Sequence, residues 1–217
     1  MLAAPSRQDS AGSPAAPRAG RAVDAYFSAD VETDGPIPGE YSMLSFALVY
    51  AGSFDGAVFR KAENWNCQFS SDLRPISPNF QVEALRVNGI DRGALIDSAP
   101  EAAPVMCESA SWVRQVAGER TPVLVAYPLS FDWSWLYWYY MKFAGTSPFA
   151  HSRCFDLKTA VALRQGIPIA AAGRQNLPLR FRPQMEHSHR ALEDAKEQAE
   201  IFVRVFTERR DAGISRG

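Results

Sequence analysis

The sequence predicts an α/β domain: a mixed β-sheet, antiparallel meander plus parallel strands, flanked by α-helices. Three observations carry that expectation. Strand-like segments crowd the first third of the chain, a short apolar run of the parallel-strand kind follows later, and helical periodicity dominates the second half. With 217 residues the chain suits one domain with a full core and a small appendage.

Residues 1–21 are rich in Ala, Pro, Ser, Gly and Arg and nearly lack large apolar side chains, which predicts a disordered tail. A single domain is expected over 22–210, with a flexible C-terminus at 211–217. Leading into and through 26–34 (YFSADVETD), apolar Val23, Ala25, Phe27, Ala29 and Val31 alternate with other residues, as on a strand. Residues 43–50 read as a buried second strand, and 52–56 as a hairpin turn into a third at 57–62. Residues 65–72 look irregular. A short helix is expected over 80–87, closed by Asn88-Gly89 as a left-handed cap, then a longer one between Pro100 and Gly118.

VLVA at 123–126 reads as a buried parallel strand. The aromatic run at 133–143 reads as a core helix, because a helix apolar all round is a buried one. FDL at 155–157 suits an edge strand, 158–164 a helix, and 166–187 a long loop carrying Arg174, Arg180, Phe181 and Arg182. The last helix is expected over 190–209, with acids toward its start and bases toward its end, as the helix dipole favours.

Composition narrows the function classes. A net charge of −1 excludes a strongly basic nucleic-acid binder but leaves room for a local basic groove. Three widely spaced cysteines form no C-x-x-C pair, which argues against a zinc or disulfide framework and fits a cytoplasmic protein. No apolar run is long enough to span a membrane, so no membrane partner is expected.

Chemistry concentrates at three places. On a strand, Asp30 and Glu32 leave the same side, and neighbouring carboxylates repel unless a cation lies between them. Such a pair seats hard divalent ions, although a solvated strand edge carries the same pattern. Asp132 stands where a strand ends and a helix begins, the place where open α/β sheets put functional groups, or where an acid simply caps the helix. His189 and Asp194 lie about 140° apart around a helix, so they meet only if His189 precedes the helix and Asp194 sits in its second turn, with Ser188 at the entry.

Together these segments resemble the DEDDh-type 3′–5′ exonucleases, DnaQ-like proteins with a ribonuclease H-like fold. Asp30-Val31-Glu32-Thr33 matches the family's D-x-E-T strand, Phe131-Asp132 its aromatic-Asp pair, and HRALEDA its H-x4-D with His189 and Asp194. The segment ALRVNGI, with Asn88, is similar to the family's His-Gly-Ile segment. Two departures stand out: Asn88 replaces a frequent His, and Tyr127-Pro128-Leu129-Ser130 stands where the family often has an Asn.

The resemblance implies a two-metal phosphodiester hydrolase that removes nucleoside 5′-monophosphates from 3′ ends. Asp30, Glu32, Asp132 and Asp194 would hold two Mg²⁺ or Mn²⁺ ions, and His189 would be the general base. Expected partners are single-stranded or short RNA or DNA, contacted by Thr33, Asn88, Phe181, Arg180, Arg182 and Trp65. A homodimer is also expected on the resemblance, with surplus rings of 133–143 at its interface. Two rival readings share the fold: a catalytically silent nucleic-acid-binding module, and a metal-dependent phosphoesterase acting on small nucleotides.

Overall fold

A computed structural model describes residues 22–185 and 187–208; the expected tails at 1–21 and 211–217 lie outside them. Six strands form one sheet: β1 (Asp24–Thr33), β2 (Met43–Phe54), β3 (Phe59–Lys61), β4 (Gln68–Asp72), β5 (Thr121–Ala126) and β6 (Cys154–Asp156). Their order is β3-β2-β1-β5-β6, and β4 pairs with β2 beside β3. β1 is antiparallel to β2 and parallel to β5, which is parallel to β6. The sheet is mixed, as the sequence predicts.

The alternation in β1 sorts its side chains between two layers. Ala25, Phe27, Ala29 and Val31 face α3 (Ala102–Ala117) and α4 (Leu129–Tyr139), in a core that includes Met106, Trp135 and Tyr139. Tyr26 faces the other layer, where α5 (Leu157–Gln165) and α6 (Ala191–Thr207) bring Val161, Ile201 and Phe202 against the sheet. Asp30 and Glu32 share Tyr26's parity, so they point under α6. With helices on both faces β1 is buried almost throughout, which places two acids inside the protein.

Three expectations need correction, and one helix is added to them. Residues 68–72 are not irregular but form β4, a half-buried strand held by pairing with β2 and by Phe69 stacked on Phe46 at 5.8 Å. Its own sequence, QFSSD, has too little apolar alternation to announce it. The turn expected at 52–56 comes later, because β2 runs on to Phe54. Helix α2 (Arg92–Ser98) is an addition, capped by Asp91, whose side chain accepts from Ala94 N–H at 3.1 Å. Helix α6 starts at Ala191 after Arg190, so Asp194 lies in its first turn, not its second. The short helix α1 (Val82–Asn88) ends on Gly89 at φ 67°, the left-handed cap expected there.

Asp34, fully buried just past β1, accepts from Ser42 N–H (2.5 Å) and from Arg92 Nε (2.8 Å), which ties α2 to the end of β1. Arg92 also donates to the Ser77 carbonyl. Arg92→Ala would leave that carboxylate buried without its cation, a cost of about 3–5 kcal/mol. The expected result is a melting temperature lower by roughly 10 °C, read by differential scanning calorimetry.

Candidate active site

The carboxylates meet where the parallel half of the sheet runs out. Pairing of β1 with β5 stops at Ser28, while β1 continues to Thr33. Past that point the β1 edge facing β5 has no strand partner, and an acid from the first turn of α4 takes its place. Asp132, 5% exposed, accepts from Val31 N–H at 3.1 Å. It does not cap α4, whose N-terminal Pro128 precedes Leu129; Leu129 N–H instead donates to Asp156 Oδ2 at 2.7 Å.

Helix α6 crosses above Asp30 and Glu32. Asp194, fully buried, brings a carboxylate oxygen within 4.8 Å of ligand atoms of both. Its Oδ1 accepts from Ser188 N–H (2.8 Å) and Ser188 Oγ (3.3 Å), so the serine expected to cap the helix holds the acid instead. His189 lies in the turn before α6 with φ 54°, the one left-handed residue other than glycine among the described residues. That conformation is costly for a β-carbon-bearing residue and marks positions held by their surroundings. It keeps a ring nitrogen within 4.8 Å of Asp194 and sets His189 on the wall of a cleft of about 660 Å³ that also includes Glu32.

Crowding leaves an electrostatic signature. Burial, then the charges of Asp132 and Glu32, push Asp30 well above the ordinary carboxylate range. Burial and Asp194 push Glu32 up to about 7, and burial pushes Asp132 up to about 7 despite hydrogen bonds from backbone N–H groups. Asp194 Oδ2 is buried without a hydrogen-bond partner among the described residues. Carboxylate oxygens held together, repelling, and with one lone pair unused make a donor set suited to a hard divalent cation.

Over 178 residues the chain is 32% identical to the 3′-5′ DNA exonuclease Cap18 of Escherichia coli, a match covering 82% of this chain and 89% of that protein. The chain belongs to the DEDDh-type 3′–5′ exonucleases. No family model matches it. Among solved structures, the nuclease domain of 3′hExo, a DEDDh family member bound to rAMP, superposes with a TM-score of 0.61 at 14% identity, covering 85% of this chain and 91% of that one. Cell-death related nuclease 4 gives 0.59 at 16% identity, over 86% of this chain and 64% of its own length. Exonuclease I of E. coli with a dT13 oligonucleotide gives 0.56 at 15%, over 85% of this chain and 40% of that one. These likenesses show the fold, a ribonuclease H-like sheet flanked by helices.

Motif reading passed over several residues that contact the acid cluster. Gln198 Nε2 donates to Asp30 Oδ1 at 2.6 Å and fixes the central acid against α6. Glu197, buried and pushed above its ordinary value by that burial, lies 3.1 Å from Arg174 Nη1. Arg174 reaches in from the 166–187 loop: Nη2 stands 3.9 Å from Asp30 Oδ1 and donates to the Tyr127 carbonyl at 3.4 Å, and the guanidinium covers the Tyr127 ring. It is an internal counter-cation for the acids. Gln198 was detectable in principle: it stands one helical turn beyond Asp194, polar on a face that is otherwise apolar.

The expected substrate contacts fare less evenly. Asn88 lines the cleft, donates to the Thr33 carbonyl at 3.0 Å and accepts from Ile90 N–H. Thr33 is buried and spends its hydroxyl on the Gly35 carbonyl. Phe181 is a correction: at 1% exposure it is core, packed in the α5–α6 layer, and presents no face to a base. Arg180 pairs with Glu208 over the Phe181 ring, and Arg182 donates to the Leu177 carbonyl, so the Arg-Phe-Arg run braces its loop. Trp65 is half-buried, with Lys61 Nζ 5.1 Å from its ring centroid. In the aromatic helix, Trp135, Tyr139 and Tyr140 are core, and Trp133 and Tyr137 stack half-exposed. No helix among the described residues is long and apolar enough to cross a membrane.

Proposed function

We propose that the exonuclease removes nucleotides one at a time from the 3′ end of single-stranded or short DNA, releasing nucleoside 5′-monophosphates. The observation that carries this reading is the convergence of Asp30, Glu32, Asp132 and Asp194, with His189, at one end of a cleft of nucleotide size. The choice of DNA rests on the name of the 32% identical relative, a DNA exonuclease. The preference for single strands rests on physics: the terminal linkage must leave a base stack to reach acids this deeply placed.

Asp30, Glu32 and Asp194 would hold one divalent ion, and Asp30 with Asp132 a second, Mg²⁺ or Mn²⁺. Such ions, when bound, lower the pKa of water and offset charge on the phosphate and the departing oxygen. The rest falls to the chain. His189, on the cleft wall beside Asp194, accepts the proton of the attacking water on a ring nitrogen. As the water oxygen bonds to phosphorus, the bond to the 3′ oxygen breaks; that oxygen takes a proton from solvent to become the new 3′ hydroxyl, and His189 returns its own proton to solvent. Gln198 keeps Asp30 aimed, Ser188 keeps Asp194 aimed, and Asn88 braces the cleft wall against Thr33.

A 5′-labelled DNA oligonucleotide incubated with Mg²⁺ or Mn²⁺ should give a ladder that shortens from the 3′ end. A matched RNA should be digested more slowly. An intact substrate would favour the silent binding module, and hydrolysis confined to small esters would favour the phosphoesterase.

A further inference from the structure

Beside the carboxylates stands a second donor set with different chemistry. His187 and His189 flank Ser188, their rings edge to face with centroids 4.4 Å apart. One nitrogen of each lies within 4.8 Å of the other and of a carboxylate oxygen of Asp194. His187 Nδ1 is 3.1 Å from Asp194 Oδ2. That is close to the roughly 3.3 Å that separates ligands on a tetrahedron with zinc's bond lengths. Beyond that ion-pair contact, Oδ2 is fully buried with no hydrogen-bond partner among the described residues. An unused carboxylate lone pair is thus directed at two solvent-exposed imidazoles.

Mg²⁺ takes oxygen ligands and avoids imidazole, whereas Zn²⁺ binds nitrogen and oxygen together. We propose that His187, His189 and Asp194, the last shared with the carboxylate cluster, form a transition-metal site that takes Zn²⁺. Water completes the coordination, since both rings face solvent. Arg174 is the opposing element: its guanidinium touches the His187 ring. It also holds Glu197 at 3.1 Å and the Tyr127 carbonyl at 3.4 Å, and these two acceptors can retain it when the imidazole turns to an ion.

Zinc at this site would occupy the lone pair of His189 and draw Asp194 from the other acids. The enzyme would then be inhibited by Zn²⁺ while Mg²⁺ is in excess, a consequence that rests on His189 being the base.

The test is calorimetric titration of ZnCl₂ into the full chain in excess MgCl₂, for the parent, His187→Ala and Asp30→Asn. One Zn²⁺ per chain is expected in the parent and in Asp30→Asn. His187→Ala should weaken it by at least about tenfold, the loss that even an outer-shell partner of a metal site causes. Equal affinity in His187→Ala would overturn the site, because the ion would then be held by the carboxylates alone. Should His187→Ala fail to fold, CoCl₂ added to the parent decides. Intense visible bands of a four-coordinate, imidazole-bound ion support the site, and the weak bands of an all-oxygen octahedral ion overturn it. Zinc bound at the triad with undiminished hydrolysis would sustain the site and contradict the role of His189 as base.

Discussion

Asp30→Asn should abolish hydrolysis and at the same time make the metal-free protein more stable. Asp30 feels the charge of each of the other acids: it shares a face of β1 with Glu32, lies near Asp194, and carries the charge of Asp132 as its largest Coulombic burden. Removing its negative charge removes the common ligand, and with it several kcal/mol of charge stabilisation at the reacting phosphate. That corresponds to a loss of roughly 10³-fold or more in turnover. Stability moves the other way, because the folded chain no longer has to confine that charge among like charges.

The pH dependence has a definite sign. Glu32 and Asp132 are raised from 4.5 and 3.8 to about 7 in the folded protein. Between those ordinary values and about 7, the folded state binds more protons than the unfolded state. Stability of the metal-free protein therefore falls as pH rises through that window, and levels off above it. In EDTA, melting temperature should decline from about pH 4 to about pH 7 and recover on adding Mg²⁺. Asp30→Asn should melt higher in EDTA at neutral pH, by roughly 2–4 °C for each kcal/mol of relieved repulsion in a domain of this size. It should recover less on adding Mg²⁺. A variant that is both inactive and less stable in EDTA would contradict the account of a strained acid cluster.

His189→Ala should slow hydrolysis by roughly 10²–10⁴-fold, the usual worth of a positioned base, while leaving Mg²⁺ or Mn²⁺ binding intact. The histidine backbone is left-handed at φ 54°, so alanine also bears a conformational cost there. His189→Asn separates the two effects. Asparagine tolerates that conformation but has no group that takes a proton near neutral pH. Both variants should show the same slow single-turnover rate, with only alanine melting lower. If asparagine restored the rate, His189 would be shaping the turn rather than moving a proton.

The sequence made the site more legible than its supports. Strand alternation alone put Asp30 and Glu32 on one face, and the turn before α6 was required for His189 to meet Asp194; both hold in the fold. Asp132 was ambiguous because a helix-capping acid and a ligand look alike in sequence. What decides is that β5 stops pairing at Ser28 and leaves Val31 N–H to be satisfied, a fact of tertiary register. Arg174 was visible only as one basic residue in a loop without periodicity, and only the folded loop carries it to Asp30. Glu197 reads as one more solvated acid of a charged helix until α6 is laid on the sheet. Phe181 went the other way: arginines on either side suggest an exposed ring, yet they turn outward to Glu208 and the Leu177 carbonyl while the ring enters the core.

The central claim is that four acids and an imidazole surround a pair of cations. It is tested most directly by anomalous diffraction from crystals grown with Mn²⁺ and a nucleoside 5′-monophosphate. Two peaks flanking Asp30, one shared with Glu32 and Asp194 and the other toward Asp132, are the predicted result, with His189 facing the phosphate. Manganese bound away from Asp30, or a nucleotide lodged outside the cleft walled by His189, would contradict it.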